Sequence, residues 1–169
     1  MNDESTSETH PAPSGLGGWL ILVGLGLIVA PIRQLNLLVQ TYPPIFRDGA
    51  WEVLTTPGSD AYHPLWAPLL IGEIAVNLAF VGAGIVLIVF FFQHSHKFPT
   101  LYIVVAIASV LFIITDAWLG SLVLPDEPMF DPDTARELGR SVFAVAVWVP
   151  YMLVSKRVKN TFRDVPEGF

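Results

Sequence analysis

The residues of this sequence that could do chemistry lie inside long apolar stretches. Four of them are charged and one is an amide: Arg33, Glu73, Asn77, Asp116 and Arg140. A charged side chain at the centre of a membrane helix costs on the order of 2.5–3.5 kcal/mol, so four unpaired ones would cost about 10–14 kcal/mol. Two cations and two carboxylates at one depth can pair and lower that cost. The sequence therefore predicts an intramembrane charge cluster made of these five residues.

Helix rise gives the four charges a common depth. Counted from the ends of the apolar stretches on one side of the membrane, each lies about 12–13 Å deep at about 1.5 Å per residue. The value for Arg33 assumes that the first helix ends near Thr41, because Pro43 follows it. Glu73 and Asn77 are four residues apart and so share one helix face. The spacing thus favours an inward-facing cluster in one half of the membrane.

Three interpretations of such a cluster remain open. In the first, the charges fix the order and register of the helices. In the second, they line a water-accessible pocket that binds a small polar solute or passes protons, as intramembrane carboxylates often do. In the third, Arg33 and Arg140 extend separately towards the interface and no cluster forms.

Enzymatic chemistry is not expected from these residues. The chain has no cysteine, which excludes disulfides, thiolate metal sites, iron–sulfur clusters and cysteine nucleophiles. No histidine lies in an apolar stretch, so a nucleophile beside a base is not available there. His94 and His96 form a short H-x-H pattern that lacks a third metal ligand. We expect no cofactor and no metal.

Composition identifies the solvent of these elements as the lipid bilayer. Of 169 residues, 53% are hydrophobic and only 14% charged, whereas soluble domains carry roughly a quarter charged residues. The net charge of −6 argues against nucleic acid as a partner. A protein partner or a homo-oligomer stays open.

The elements that must position the charges form an all-α fold, an integral membrane bundle of four transmembrane helices. The apolar stretches predict helices over about 15–40, 65–93, 99–124 and 132–155. Residues 1–14 are acidic and rich in Ser, Thr and Pro, which predicts a disordered tail, and residues 156–169 form a basic tail. Residues 42–64 contain several prolines and predict a loop. Within it, IFRDGAWEVL is compatible with a short turn that lies flat at the interface.

Topology follows from the distribution of Lys and Arg. Four spans place the N-terminal tail, the middle turn and the C-terminal tail on one side, and that side holds five basic residues, Lys97, Lys156, Arg157, Lys159 and Arg163. The opposite loops hold Arg47 and Arg136 among eight acidic residues, the last of which is Glu137. The positive-inside rule therefore predicts that both termini are cytoplasmic.

Three segments resemble a known family. They are GLGGWLILVGLGLI at the start of the first helix, FPTLY at the start of the third, and VWVPYMLVSKRVKNTF at the end of the fourth. The chain is similar through them to DUF2569, a bacterial family of unknown function, over roughly residues 15–162. The resemblance implies a multi-pass inner-membrane protein with a Glu, an Asp and an Arg in spans two, three and four, here Glu73, Asp116 and Arg140. It implies no activity.

The sequence as a whole predicts a structural or accessory component of the bacterial inner membrane. The alternative is a pathway for a small polar solute or for protons that uses the charge cluster.

Overall fold

The computed structural model describes residues 14–163, and all regular structure within that range is helical. Six helices follow one another: α1 Trp19–Arg47, α2 Ala50–Thr55, α3 Trp66–Phe92, α4 Lys97–Val123, α5 Pro132–Val154 and α6 Lys156–Thr161. The all-α prediction is confirmed. The tail expected over residues 1–14 lies, except for Ser14, outside the described residues, as do residues 164–169 of the C-terminal tail.

Four of these helices, α1, α3, α4 and α5, are long and apolar enough to cross a membrane. Their outward faces carry large apolar side chains that no other part of the described chain covers, such as Ile32, Leu111 and Phe143, which is 70% exposed. Proteins in water rarely expose so much apolar surface, whereas lipid tails are a suitable environment for it. The fold is therefore a transmembrane bundle.

The four spans pack as a curved row. Helix α1 packs along α3, α3 along α4 and α4 along α5. The backbones of α1 and α5, at the two edges of the row, do not pack closely, although the rings of Trp19 and Trp148 lie 6.4 Å apart between centroids. Two glycines allow the close contact of α1 with α3. A Cβ at Gly24 would lie 3.0 Å from the Phe91 ring, and one at Gly84 would lie 3.3 Å from Pro31. Small residues at such crossings are the usual means of helix association in lipid.

The two ends of the bundle differ in composition. The terminal end, formed by residues 14–20, 88–101 and 151–162, is filled by aromatic rings. The Phe98 ring lies 5.1 Å from Phe91 and 4.7 Å from Phe162 between centroids, and Leu20 and Phe98 are fully buried. The loop end, formed by α2 and the loops at residues 56–65 and 124–131, has no comparable cluster among the described residues.

The beginning of the C-terminal segment is not a simple basic tail. Ser155 accepts a hydrogen bond from the Val158 amide at 3.3 Å and so caps α6. Val158 and Phe162 are then buried against the terminal end. The Arg157 guanidinium donates to the Ser14 carbonyl at 3.1 Å, and the Thr161 hydroxyl donates to the Gly15 carbonyl at 3.3 Å. Helix α6 therefore joins the two ends of the described part of the chain.

The first helix is longer than expected. The loop predicted from Tyr42 onwards begins only after Arg47, and α1 continues through Pro43 and Pro44. Each proline removes one backbone donor, so two carbonyls in the preceding turn lose their usual partner. The last turn is nevertheless closed, because the Asp48 amide donates to the Pro44 carbonyl at 2.8 Å and Phe46 stacks on Trp51 of α2 at 5.1 Å. The depth expected for Arg33, counted from a helix end near Thr41, does not hold.

Candidate functional site

A cavity of about 650 Å³ lies between the four spans, on the loop side of the aromatic cluster. Its volume is within the range of small-molecule sites, roughly 300–1,000 Å³. Each span contributes one stripe of side chains at helical spacing. On α3 the stripe is Glu73, Asn77, Phe80, Gly84 and Leu87. The stripe on α4 is Tyr102, Val105, Ser109, Phe112 and Asp116, and that on α5 is Thr134, Glu137, Ser141, Ala144 and Trp148.

The lining changes from polar to apolar along the cavity. Glu73 begins the α3 stripe near the loop end and Leu87 ends it about 21 Å away, at about 1.5 Å per residue. Phe80 of α3 and Phe112 of α4 meet between them, with ring centroids 5.7 Å apart. The carboxylates therefore lie towards the loops, Phe80 and Phe112 lie in the middle, and mostly apolar side chains lie next to the aromatic cluster, where Tyr102 adds one hydroxyl.

An amide pair fixes α1 to α3 inside the cavity. Gln34 Nε2 donates to Asn77 Oδ1 at 2.5 Å, and Asn77 Nδ2 donates to the Glu73 carbonyl at 2.9 Å. The Tyr42 hydroxyl interacts with the Glu73 carboxyl group and with the Asn77 side chain. Both polar ends of Asn77 are thus engaged. Gln34 and Tyr42, which complete this network, were not among the predicted site residues.

The Glu73 and Asp116 carboxylates lie in the same part of the cavity. They are near enough to interact with each other, and Asp116 also interacts with Glu137 of α5. Among the described residues, no Lys or Arg lies within 4.0 Å of the carboxylate oxygens of Glu73 or Asp116. The two carboxylates therefore meet without the cations that the sequence placed beside them.

Arg33 lines the same cavity but pairs with Glu137 rather than with Glu73 or Asp116. Its Nη2 atom is 4.0 Å from Glu137 Oε1, and both side chains are half exposed. The pair bridges the two edges of the helix row, α1 and α5, where their backbones do not pack. At this distance and exposure an ion pair contributes little stability, about 0–1 kcal/mol. It closes the open side of the bundle only loosely.

Arg140 was expected in the cluster, but the structure does not bring it there. It is exposed and does not line the cavity. The α5 stripe runs through Glu137 and Ser141, and at 100° per residue Arg140 lies about 70–80° to one side of it. Glu137 occupies the place expected for a cation. It was missed because it was assigned to the outer loop, although it lies three residues after Thr134 and four before Ser141.

A second cavity of about 490 Å³ adjoins the first and shares Asp116 and Thr134 with it. It is lined by the end of α4 and by the loop that leads to α5, and it carries Glu127 and Asp131. Asp131 caps α5, because its carboxylate accepts from the Asp133 amide at 2.7 Å and from the Thr134 amide at 3.0 Å. The Thr134 hydroxyl and these amides hold the pKa of Asp131 below its usual range. We call this second cavity the vestibule.

No group of three His, Cys, Asp or Glu side chains that could hold a metal ion occurs within residues 14–163. His94 lies in the turn between α3 and α4, with its ring 6.4 Å from Phe162, at the end of the bundle opposite the carboxylates. Carboxylates, amides and hydroxyls line the cavity of about 650 Å³. Such groups can bind a polar solute.

Comparison with known proteins agrees with the resemblance. The family model described as "Protein of unknown function (DUF2569)" matches residues 13–163. The chain belongs to this family. It is also 30% identical over 159 residues to "Inner membrane protein YdgK" of Escherichia coli (strain K12), an alignment that covers 91% of this chain and 97% of that protein. No solved structure matches.

This DUF2569 protein has four candidate membrane spans. Its Escherichia coli relative is named an inner membrane protein, which agrees with them. The lipid bilayer is therefore the environment of the apolar outer faces. The match spans all four stripes and α6, so the cavity of this DUF2569 protein is built from the family region rather than from an added segment.

Proposed function

We propose that this DUF2569 protein is an integral membrane protein that binds a small polar solute. The solute enters the cavity from the loop end. One observation carries the proposal: the Glu73 and Asp116 carboxylates line an open cavity and have no cationic partner among the described residues. Charges that served only to fix helix order would be expected to neutralise one another in a closed interior, since unpaired charges in lipid are costly. Access to water removes much of that cost.

A binding role is favoured over covalent catalysis by a serine. Among the described residues that line the cavity there is no histidine and no lysine. The serines Ser109 and Ser141 therefore lack a neighbouring base of the usual kind, and the Ser109 hydroxyl donates to the Ala106 carbonyl at 2.8 Å. The lining therefore does not favour covalent catalysis by a serine.

We place the loop end outside the cytoplasm. Lys97 and the basic residues of α6 lie at the terminal end, and the vestibule and its neighbouring loops are acidic. The positive-inside rule then puts both chain ends in the cytoplasm. In this orientation the cavity opens towards the outer side of the inner membrane.

Single cysteines test access to the cavity, because the chain has none of its own. A thiol reacts with maleimide only where water allows the thiolate to form. Ser141→Cys lies on the cavity stripe of α5, and the matched control Phe143→Cys lies on its lipid-facing side. A membrane-impermeant maleimide added to intact spheroplasts should label Ser141→Cys at least tenfold faster than Phe143→Cys.

The same labelling decides the orientation. Thr56→Cys, in a loop at the loop end, should react in intact spheroplasts, and Lys159→Cys, on α6, should react only after lysis. If Ser141→Cys reacts as slowly as Phe143→Cys even after lysis, the cavity is closed to water and the proposed function is wrong. Labelling of Lys159→Cys before lysis would reverse the topology.

A structural role for the polar residues is the second candidate, and the Gln34–Asn77 hydrogen bond favours it. The bond joins α1 to α3, and its acceptor, the Asn77 amide, is buried. In that case Asn77→Leu would lower folded yield in detergent, while Asp116→Asn would leave both yield and solute binding unchanged. Under the proposed function Asp116→Asn changes binding and leaves folding largely intact.

A further inference from the structure

We infer that the solute is a cation with an apolar body, an amphiphilic ammonium compound that places its charge between Glu73 and Asp116. This inference rests on the proposed function, because it names the ligand class of the same cavity. It depends on the charge balance of the lining, on the order of polar and apolar groups along it, and on the character of the vestibule.

The charge balance of the lining is negative. Three carboxylates, Glu73, Asp116 and Glu137, line the cavity with one guanidinium, that of Arg33, which gives a formal charge of −2. Arg33 faces Glu137 at 4.0 Å, so the remaining two carboxylates are left for a ligand. The other cations nearby do not reach this space: Arg136 pairs with Asp133 at 2.5 Å, and Arg140 does not line the cavity. An anionic solute would meet repulsion here, and a cation would neutralise the site.

The order of groups along the cavity calls for an apolar body attached to that charge. Beyond the carboxylates the lining is mostly apolar, with Phe80 and Phe112 followed by Leu87 and Trp148. Its polar groups there are the hydroxyls of Ser109, Ser141 and Tyr102. Water is a poor occupant of such a segment, since a water molecule needs several polar partners. Aromatic faces also attract ammonium groups when these are partly desolvated. A ligand with a charged head and an apolar body of a few carbons would satisfy both regions.

The vestibule supplies independent support. Its lining adds Glu127 and Asp131 to Asp116, and no Lys or Arg belongs to it among the described residues. Its charge therefore has the same sign as that of the cavity it adjoins. Surfaces of one sign at the mouth of a site concentrate ligands of the opposite sign and raise their association rate. An acidic approach to an acidic cavity favours a cationic solute over an anionic one.

Protection of a cysteine from maleimide measures binding directly. The Ser141→Cys protein in nanodiscs of phosphatidylglycerol is treated with N-ethylmaleimide in the presence of benzyltrimethylammonium, benzenesulfonate or benzyl alcohol. These probes share one ring and differ in charge. We expect only benzyltrimethylammonium to slow labelling in a saturable manner. Thr56→Cys, in the loop after α2 and outside both cavities, controls for effects of the probes on the lipid surface.

Charge variants added to Ser141→Cys identify the groups that bind. Glu73→Gln and Asp116→Asn should each raise the half-protecting concentration about tenfold or more, because each removes one charge next to the ammonium. Arg33→Gln should leave that concentration unchanged or lower it, since it frees Glu137. Glu127→Gln, in an exposed loop where folding is not at risk, should slow association in low salt and lose its effect in high salt.

Nanodiscs of phosphatidylethanolamine separate two sources of the ammonium group. Both lipids are measured in high salt, so that the negative surface of phosphatidylglycerol no longer concentrates the cationic probe. A higher half-protecting concentration in phosphatidylethanolamine would then show that the lipid headgroup competes for the site, and an unchanged one would favour a free amine. Either result supports the ammonium class. The inference is overturned if benzenesulfonate protects better than the cation, or if benzyl alcohol protects equally and Asp116→Asn has no effect. In both cases a labelled Ser141→Cys would leave the proposed function standing, whereas an unreactive Ser141→Cys would remove both.

Discussion

The terminal end and the loop end of the bundle are built from the same four spans but hold them together by different means. At the terminal end, Phe91, Phe98 and Phe162 fill the space between the helices, and α6 covers them. In the half of the bundle next to the loop end, the helices surround a cavity, and single polar contacts join them. Packing is dense where the chain ends meet and sparse where the charges lie.

This difference suggests a division of labour between the two ends. Lipid tails give helices no hydrophobic reason to associate, so close packing must supply most of the stability. The aromatic cluster provides that packing and leaves the other half of the bundle free to keep a hydrated, charged space. Sites held open in this way are less stable than the packing that supports them. The predictions below test whether stability and binding separate in this manner.

The largest effect is expected from removing a ring at the terminal end. Phe98 is fully buried against two other rings, so Phe98→Ala should lower the free energy of unfolding by about 3–5 kcal/mol. Phe112→Ala makes the same change beside an existing cavity and should cost less than about half of that. Unfolding of both proteins in mixed micelles, followed by tryptophan fluorescence, measures the difference. Equal losses would show that the two ends share stability evenly.

A smaller effect is expected from adding one methyl group between α1 and α3. In Gly24→Ala the new Cβ would lie 3.0 Å from the Phe91 ring, whereas at Gly26 nothing lies within 4 Å. We expect Gly24→Ala to be less stable than Gly26→Ala by about 1–2 kcal/mol, because overpacking forces Phe91 to move while both variants gain helix propensity. Thermal unfolding in one detergent compares them. A Gly24→Ala protein as stable as Gly26→Ala would mean that the terminal end is loosely packed.

The polar contact at the loop end should contribute less again. Gln34 and Asn77 share the interhelical hydrogen bond, and such bonds in membranes contribute about 0.6 kcal/mol on average and at most about 1.7 kcal/mol. A double-mutant cycle with Gln34→Leu and Asn77→Leu should therefore give a coupling energy in that range. A coupling well above that range would make the amide pair, rather than the aromatic cluster, the main contact between α1 and α3.

Much of the fold could be predicted from the sequence, because a span needs only an uninterrupted run of apolar residues. Three of the four spans begin and end within two residues of their expected ends. The extension of α1 through Pro43 and Pro44 could not be foreseen, since it depends on the contact of Phe46 with Trp51. Helix α6 was missed because its basic residues conceal Val158 and Phe162, which are four residues apart.

The site was less predictable than the spans. The carboxylates Glu73 and Asp116 were placed together with Asn77 from their spacing, and the structure lines one cavity with all three and with Arg33. Depth along a helix does not give direction around it, so the sequence argument chose Arg140 where the stripe passes through Glu137. The separation of α1 from α5 is a property of tertiary packing and leaves no local pattern in the chain.

The smallest effect concerns the cap of α5, which borders the vestibule. Because hydrogen bonds from the Thr134 hydroxyl and from nearby amides lower the pKa of Asp131, its cap is present above the pKa of the unfolded chain, about 3.9, and is lost as the pH falls through the lower folded value. Asp131→Asn keeps an acceptor at every pH, and Asp131→Ala keeps none.

Hydrogen exchange at the Asp133 and Thr134 amides should therefore show equal protection in the parent and in Asp131→Asn near pH 7. Only the parent should lose protection, relative to Asp131→Asn, when the pH falls below about 4. Full protection in Asp131→Ala would show that the start of α5 is held by packing, as the terminal end is, and would erase the contrast between the two ends at this position.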